Sequence, residues 1–152
     1  MKKVVLAVVA ALLAGGIFFY LTACPCERLP GMWLTGAEVD LPQEDWSFVN
    51  EEKRCELEVS SWRPHSVTLN CMADGGDLFI SCSRCDGKYW SGVALEQPNG
   101  RIRIAGQVYP VSLTRLEDDA SLDRAWRARI TKLGQEGERP GHWWSFQLTS
   151  RS

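Results

Sequence analysis

The segment that decides the fold is residues 55–82, which read CELEVSSWRPHSVTLNCMADGGDLFISC. Apolar side chains alternate with polar or acidic ones along 55–59 and again along 67–71, a period of two that is typical of strands with one buried face. If a hairpin places Val59 opposite Val67, both apolar sets lie on the same face and Cys55 lies opposite Cys71. The Asp74-Gly75 pair is a strong turn signal and predicts that the chain returns in a third antiparallel strand.

Strand patterns continue beyond this segment. Gly106 predicts the turn of a further hairpin, and a last strand is predicted over 143–148. A helix is predicted where apolar residues recur at helical spacing, between a capping Asp118, Asp119 or Ser121 and Gly134: Leu122, Ala125, Trp126, Ile130 and Leu133. A shorter helix is predicted over 88–96. We therefore expect a mainly β (α+β) domain of about six antiparallel strands with one or two short helices.

The N-terminus has the pattern of a membrane anchor. Residues 4–23 contain no charged side chain and follow Lys2 and Lys3. Twenty helical residues span about 30 Å, the thickness of the bilayer's hydrocarbon core. Leu21-Thr22-Ala23-Cys24 also resembles a bacterial lipobox, in which Cys24 is lipidated after cleavage of a signal peptide. Both alternatives place the rest of the chain in the cell envelope, facing the periplasm or the exterior.

This organisation divides the chain into three parts. We expect residues 1–24 to be the signal peptide or single transmembrane anchor, 25–45 a linker, and 46–152 the β domain. Without Lys2 and Lys3, 15 of the 17 Lys and Arg remain against 19 Asp and Glu, a net charge of −4. A domain this acidic is a poor candidate for nucleic-acid binding, which depends on cationic contacts to phosphate.

An oxidising compartment favours disulfide bonds between the cysteines. The predicted hairpin register brings Cys55 and Cys71 close enough for a disulfide, and the spacing of Cys82 and Cys85 allows a second one. The Asp74-Gly75 turn places Cys82 beside Val67, about 13 Å along the strand from Cys71, so the four sulfurs cannot bind one zinc ion and no metal is expected. Thiol redox chemistry at Cys82 and Cys85 is a weaker alternative, because no thioredoxin-like context surrounds them.

No catalytic acid or base is apparent. His65 and His142 lie in separate loops, and no hydrolase motif is present. Seven tryptophans are many for this length, and they either pack the core or form a stacking surface for a small planar ligand. Trp62 and Trp90 are the preferred ligand contacts, because Arg63 and Lys88 are near them in the sequence.

Residues 62–109 resemble the FMN-binding split β-barrels of the pyridoxamine 5'-phosphate oxidase-like family. The resemblance rests on short motifs in the same order: Arg63-Pro64, Asp74-Gly75, 81–83, Lys88, Pro98 and 101–104. It implies a split β-barrel that binds FMN, often at the interface of a homodimer. Carried onto this chain, the cofactor-binding residues are Arg63, Ser81, Ser83, Arg84, Lys88 and Trp90.

Two functions follow from the resemblance and the anchor. The first is a membrane-tethered flavin-dependent oxidoreductase that passes electrons to a small acceptor or to a membrane-borne acceptor such as a quinone. The second is a non-catalytic envelope lipoprotein of the same fold that binds a ligand or a protein partner. Flavin binding distinguishes them.

Overall fold

The computed structural model describes residues 2–22, 25 and 29–151. Over these residues the chain forms eight strands, three α-helices and a 3₁₀ helix at Ser47–Glu51. The strands are β1 (Ala37–Glu38), β2 (Cys55–Val59), β3 (His65–Leu69), β4 (Cys71–Asp74), β5 (Asp77–Cys82), β6 (Asn99–Ile104), β7 (Gln107–Arg115) and β8 (Trp144–Ser150). The α-helices are α1 (Lys2–Thr22), α2 (Tyr89–Glu96) and α3 (Asp119–Leu133).

Seven of the strands form one antiparallel sheet in the order β3-β2-β6-β7-β8-β5-β4, and β1 pairs in parallel with β7. The sheet curls into an open barrel. Its two edge strands, β3 and β4, are consecutive in the chain and are separated only by Asn70. The mainly β fold is therefore confirmed, with β1 and β4 in addition to the expected strands.

The β2–β3 hairpin differs in register from the prediction. Leu57 lies opposite Val67, and Cys55 lies opposite Leu69, a shift of two residues. The reason is that β3 begins at His65, so the connecting loop is shorter than expected. A shift of two residues leaves each side chain on its predicted face, because the strand period is two.

The second predicted hairpin is also wrong in register. Residues 67–71 do not form one strand: β3 ends at Leu69, and β4 begins at Cys71 on the other edge of the sheet. The turn is Gly75-Gly76 instead of Asp74-Gly75, since Asp74 pairs with Asp77. Both glycines have positive φ, at 56° and 86°, which their missing Cβ allows.

These shifts correct one of the predicted disulfides. Cys71 lies opposite Ile80, on a different strand pair from Cys55, so the two are not paired across β2 and β3, although their side chains interact within the core. Both are buried free thiols, and the predicted Cys55–Cys71 bond is not formed. Cys82 and Cys85 are joined by a disulfide, with their Cα atoms 5.6 Å apart, as predicted. Cys24 lies outside the described residues.

The main core fills the interior of the barrel, where Leu57, Ile80, Ile102 and Phe146 are fully buried. Helix α3 covers the outer face of β4 and β5 through a smaller cluster, which is formed by Met72, Phe79, Leu116 and Ala125.

Helix α3 has the predicted caps. Asp118 accepts a hydrogen bond from the Ser121 amide at 2.9 Å, and Gly134 is left-handed with φ 59°. Ala125 is the only buried member of the predicted apolar stripe within this helix. Trp126 lies at the flank, where its indole N–H donates to the Gly137 carbonyl and its ring packs edge-on against Trp143.

The segment before β2 packs on the sheet at several points. Gly31 forms an isolated antiparallel bridge with Ser66, and the Val39 amide donates to the Val108 carbonyl. The Leu34 amide donates to the buried carboxylate of Glu58 at 2.5 Å. This segment is therefore fixed to the sheet on both sides of β1.

Helix α1 is the one described helix that is long and apolar enough to cross a membrane, and none of its residues 2–19 is buried.

Candidate functional site

The candidate site is a groove at the split of the barrel, where β3 approaches the end of β5. It consists of two recesses that share Thr68, Leu69 and Lys88. The apolar recess, of about 430 Å³, is lined by Leu29, Pro30, His65, Val67, Thr68, Leu69, Lys88, Tyr89 and Trp90. The polar recess, of about 220 Å³, is lined by Arg54, Thr68, Leu69, Asn70, Ser81, Cys82, Ser83, Lys88, Arg129 and Trp143.

The polar recess contains a concentration of unpaired hydrogen-bond donors. The Thr68 and Ser81 hydroxyls and the Trp143 indole N–H are buried and have no partner among the described residues. Such a buried group ordinarily has a partner, and leaving it without one costs about 1–3 kcal/mol. Three residues with such a group line one recess, which favours a site for a ligand that accepts several hydrogen bonds.

The charges at this recess indicate that the ligand is an anion. Arg54, Lys88 and Arg129 line it, and no Asp or Glu does. The side chains of Arg54 and Lys88 form no ion pair within the described part of the chain. Arg129 stacks over Trp143 at 4.8 Å, and burial lowers the pKa of its guanidinium below the ordinary value. Three donors and three cationic side chains match the acceptor oxygens of a phosphate group.

The loop between β5 and α2 places Lys88 in the groove. The Cys82–Cys85 disulfide closes the start of this loop. The Lys88 amide then donates to the Cys85 carbonyl at 3.1 Å, and the buried Ser91 hydroxyl donates to the same carbonyl at 2.5 Å. The backbone of Lys88, at the N-terminal cap of α2, is therefore fixed, and its side chain extends from there into the groove.

The apolar recess has aromatic walls. The His65 and Tyr89 rings meet edge-on with their centroids 4.9 Å apart. Burial, followed by the positive charge of Arg63, lowers the pKa of His65 below its ordinary 6.5, so the imidazole is neutral at pH 7. Trp90 is only 3% exposed and packs against Phe146, so it forms a wall of the recess and is not a free stacking surface. This recess can accept a planar, largely apolar group.

The structure brings together four of the six predicted cofactor-binding residues. Ser81, Ser83 and Lys88 line the polar recess, and Trp90 lines the apolar recess together with Lys88. Arg63 and Arg84 are exposed and line neither recess. The guanidinium of Arg63 stacks over the ring of Trp62 at 5.1 Å, and Trp62 is also outside both linings.

Among the lining residues that were not predicted as cofactor-binding are Arg54, Thr68, Arg129 and Trp143. Thr68 occupies a polar position of the alternating β3 pattern, which is the single sequence signal that could have identified it. Arg129 and Trp143 come to the groove from α3 and the approach to β8, far along the chain. Their contribution depends on the tertiary fold.

The described residues include no group of three or more His, Cys, Asp or Glu side chains that could hold a metal ion.

No protein-family model and no curated protein matches this chain. Its architecture does match solved structures. A Listeria innocua protein assigned as a pyridoxamine 5'-phosphate oxidase aligns with a TM-score of 0.55 and 14% identity, over 69% of this chain and 89% of that one. The chain has the split β-barrel fold. Two further solved structures align at lower scores. A FAD-binding protein of Mesorhizobium loti has a TM-score of 0.51 and 13% identity, over 68% of this chain and 85% of that one. A Bacteroides thetaiotaomicron protein assigned as a 5-nitroimidazole antibiotic resistance protein has a TM-score of 0.52 and 11% identity, over 74% of this chain and 90% of that one.

Proposed function

We propose that this split β-barrel is a membrane-tethered flavin-binding oxidoreductase that holds FMN in its groove. The observation that carries the proposal is the set of three buried, unpaired donors on a recess lined by three cations. A phosphate group would satisfy those donors, and the adjoining apolar recess has room and aromatic walls for the attached ring system. The flavin-related names among the structural neighbours support the same assignment.

The chain's residues then have distinct binding tasks. Thr68, Ser81 and Trp143 donate hydrogen bonds to the phosphate, and Lys88 and Arg54 balance its charge. The neutral His65 and the buried Trp90 form the less polar walls beside the ring system. Bound flavin supplies the redox chemistry, while the protein supplies binding and orientation.

We further propose that α1 anchors the domain on the periplasmic or exterior side of a bacterial membrane. The length and apolar composition of the helix and the lysines at its start support this topology. The Cys82–Cys85 disulfide also supports an oxidising compartment. A membrane-borne acceptor such as a quinone, and the homodimer that the family resemblance implies, remain predictions of this proposal.

The test is a titration of the full chain in detergent with FMN, and flavin fluorescence monitors the binding. The chain offers a matched pair of variants in one loop: Lys88→Gln removes a cation of the groove, and Arg84→Gln removes an exposed cation outside it. A hydrogen bond to a charged group is worth about 1.5–3 kcal/mol, so Lys88→Gln should weaken FMN binding about tenfold or more, whereas Arg84→Gln should leave it unchanged.

Riboflavin provides the second arm of the test, because it has the ring system without the phosphate. We expect the wild-type chain to bind riboflavin more weakly than it binds FMN. The wild-type chain and the Lys88→Gln variant should bind riboflavin with equal affinity. Failure of the folded wild-type chain to bind FMN would refute the proposal. It would favour the alternative function, a non-catalytic envelope protein that binds another ligand or partner.

A further inference from the structure

Two strongly exposed apolar side chains belong to the lining of the apolar recess and to a loop beside it. Leu29, on the recess lining, is 72% exposed, and Trp62 is 84% exposed. The loop that carries Trp62 is tied to the recess by a 2.7 Å hydrogen bond between the Ser61 and Tyr89 hydroxyls. One large apolar side chain is thus exposed on the recess lining and another on a loop bonded to that lining, and neither is stabilised by the protein's own packing.

The same face is positively charged, although the exported domain as a whole is negative. The two loops beside the recess, residues 60–64 and 83–88, carry Arg63, Arg84 and Lys88 against the single carboxylate Asp86. Tryptophan beside arginine is the composition found at membrane–water interfaces, where indole rings lie at headgroup level and cations meet lipid phosphates. The face therefore matches an anionic bilayer surface in both charge and polarity.

The chain also limits how far this face can be from the membrane. Helix α1 ends at Thr22, and Leu29 already lines the recess. Seven residue steps of at most about 3.6 Å cannot exceed about 25 Å. Lipidation at Cys24 would shorten the tether to five steps, or about 18 Å. With either anchor, the recess mouth is the part of the domain that the chain attaches nearest to the bilayer.

We infer that the domain docks on the membrane through this face, with Trp62 and Leu29 in the interfacial layer and the apolar recess opening toward the lipid. The occupant is the anionic phospholipid surface in which the chain's own helix is anchored. This inference rests on the anchor in the proposed function and deepens it, because a recess that opens onto the bilayer admits a lipid-soluble reaction partner.

The test measures the position of Trp62 in the full chain, reconstituted in nanodiscs that contain phosphatidylglycerol brominated near the headgroup. Bromine quenches only tryptophans that reach the lipid, and α1 contains no tryptophan. Replacing Trp62 by Phe should remove most of the bromolipid quenching. The matched control is Trp126→Phe, at the flank of α3, which should leave the quenched emission unchanged. The wild-type chain should be quenched less in brominated phosphatidylcholine than in brominated phosphatidylglycerol. In brominated phosphatidylglycerol, an Arg63→Gln/Arg84→Gln variant should be quenched less than the wild-type chain.

Equal quenching of wild-type and Trp62→Phe chains would overturn the inference. So would a protection of Trp62 from a water-soluble quencher that appears only as detergent-solubilised monomers form dimers, since that face would then bind a second copy. The FMN titration is run on the same samples. Trp62→Phe should bind FMN like the wild type, because Trp62 is outside both linings. Absence of docking by the wild-type chain with normal FMN affinity refutes only the inference, whereas docking of the wild-type chain without FMN binding refutes only the cofactor assignment.

Discussion

The Thr68→Val substitution tests the polar recess through two effects of opposite sign. Valine has nearly the shape of threonine and suits a strand, so β3 and its packing should be preserved. In the ligand-free protein the change removes a buried hydroxyl that has no partner. In the complex the same change removes a donor to the phosphate.

The magnitudes follow from the state of this hydroxyl. An unpaired buried polar group costs about 1–3 kcal/mol, so Thr68→Val should raise the free energy of unfolding of the ligand-free protein by about 1 kcal/mol. For a domain of this size that corresponds to a rise of about 4 °C in Tm. FMN affinity should fall by about tenfold or more, because a hydrogen bond to a charged group contributes about 1.5–3 kcal/mol.

Urea unfolding gives the first quantity, and fluorescence titration with FMN gives the second. The control is Thr114→Val on β7, whose side chain is exposed, and it should change neither quantity appreciably. A Thr68→Val protein that is less stable than the wild type without ligand would refute the reasoning, because the hydroxyl would then have a partner in the free protein.

Three further outcomes are expected. Glu58→Gln should lower the free energy of unfolding, measured with urea, by about 2 kcal/mol, because it breaks the 2.7 Å ion pair with Arg101. Breaking a fully buried ion pair costs about 3–5 kcal/mol, and we expect less here because Arg101 is 29% exposed. An unchanged urea midpoint would contradict this expectation. The double substitution Cys82→Ser/Cys85→Ser should lower the free energy of unfolding by at most about 2 kcal/mol in the same assay, because the disulfide closes a loop of only four residues. A larger decrease would show that the bond stabilises more than this loop. The pKa of His65 is lowered in the folded protein, so near and below pH 6.5 the unfolded chain binds more protons than the folded chain. The free energy of unfolding should therefore fall as the pH decreases from about 7 to about 5.5. His65→Gln should make this dependence on pH less steep, and the same dependence in both proteins would refute the role of this imidazole.

The strand faces could be predicted from the sequence, but the strand pairing could not. Alternation along 55–59 and 67–71 assigns each side chain to a face, and those faces are correct. The register of the β2–β3 hairpin depends on where the connecting loop ends. Val59 pairs with His65 and not with the predicted Val67, and the apolar pattern could not reveal this shift of two residues. Alternation has the same appearance in every register that differs by two residues.

The break at Asn70 was invisible for a related reason. Residues 67–71 alternate without interruption, yet the chain changes from one edge of the sheet to the other within them. The predicted disulfide between Cys55 and Cys71 depended on treating this stretch as one strand. Local pattern records which side is buried, whereas the choice of neighbouring strand depends on closure of the whole sheet.

The predicted site was most accurate where one local segment carried it. Ser81, Ser83 and Lys88 lie within eight residues of each other, and the structure keeps them on one recess. Arg63 belongs to a separate loop, where it stacks over Trp62 and lines neither recess.

The single residue between β3 and β4 sets how the groove can deform. Leu69 and Cys71 are two Cα steps apart, so the edges of the sheet cannot separate by more than about 7 Å at that point. Asn70 lines the polar recess, whereas His65 and Tyr89 line the apolar recess farther along β3. Any widening must therefore pivot at Asn70 and increase with distance from it. The polar end of the groove should therefore keep nearly constant dimensions, and the aromatic end is the part that can adjust to ligands of different size.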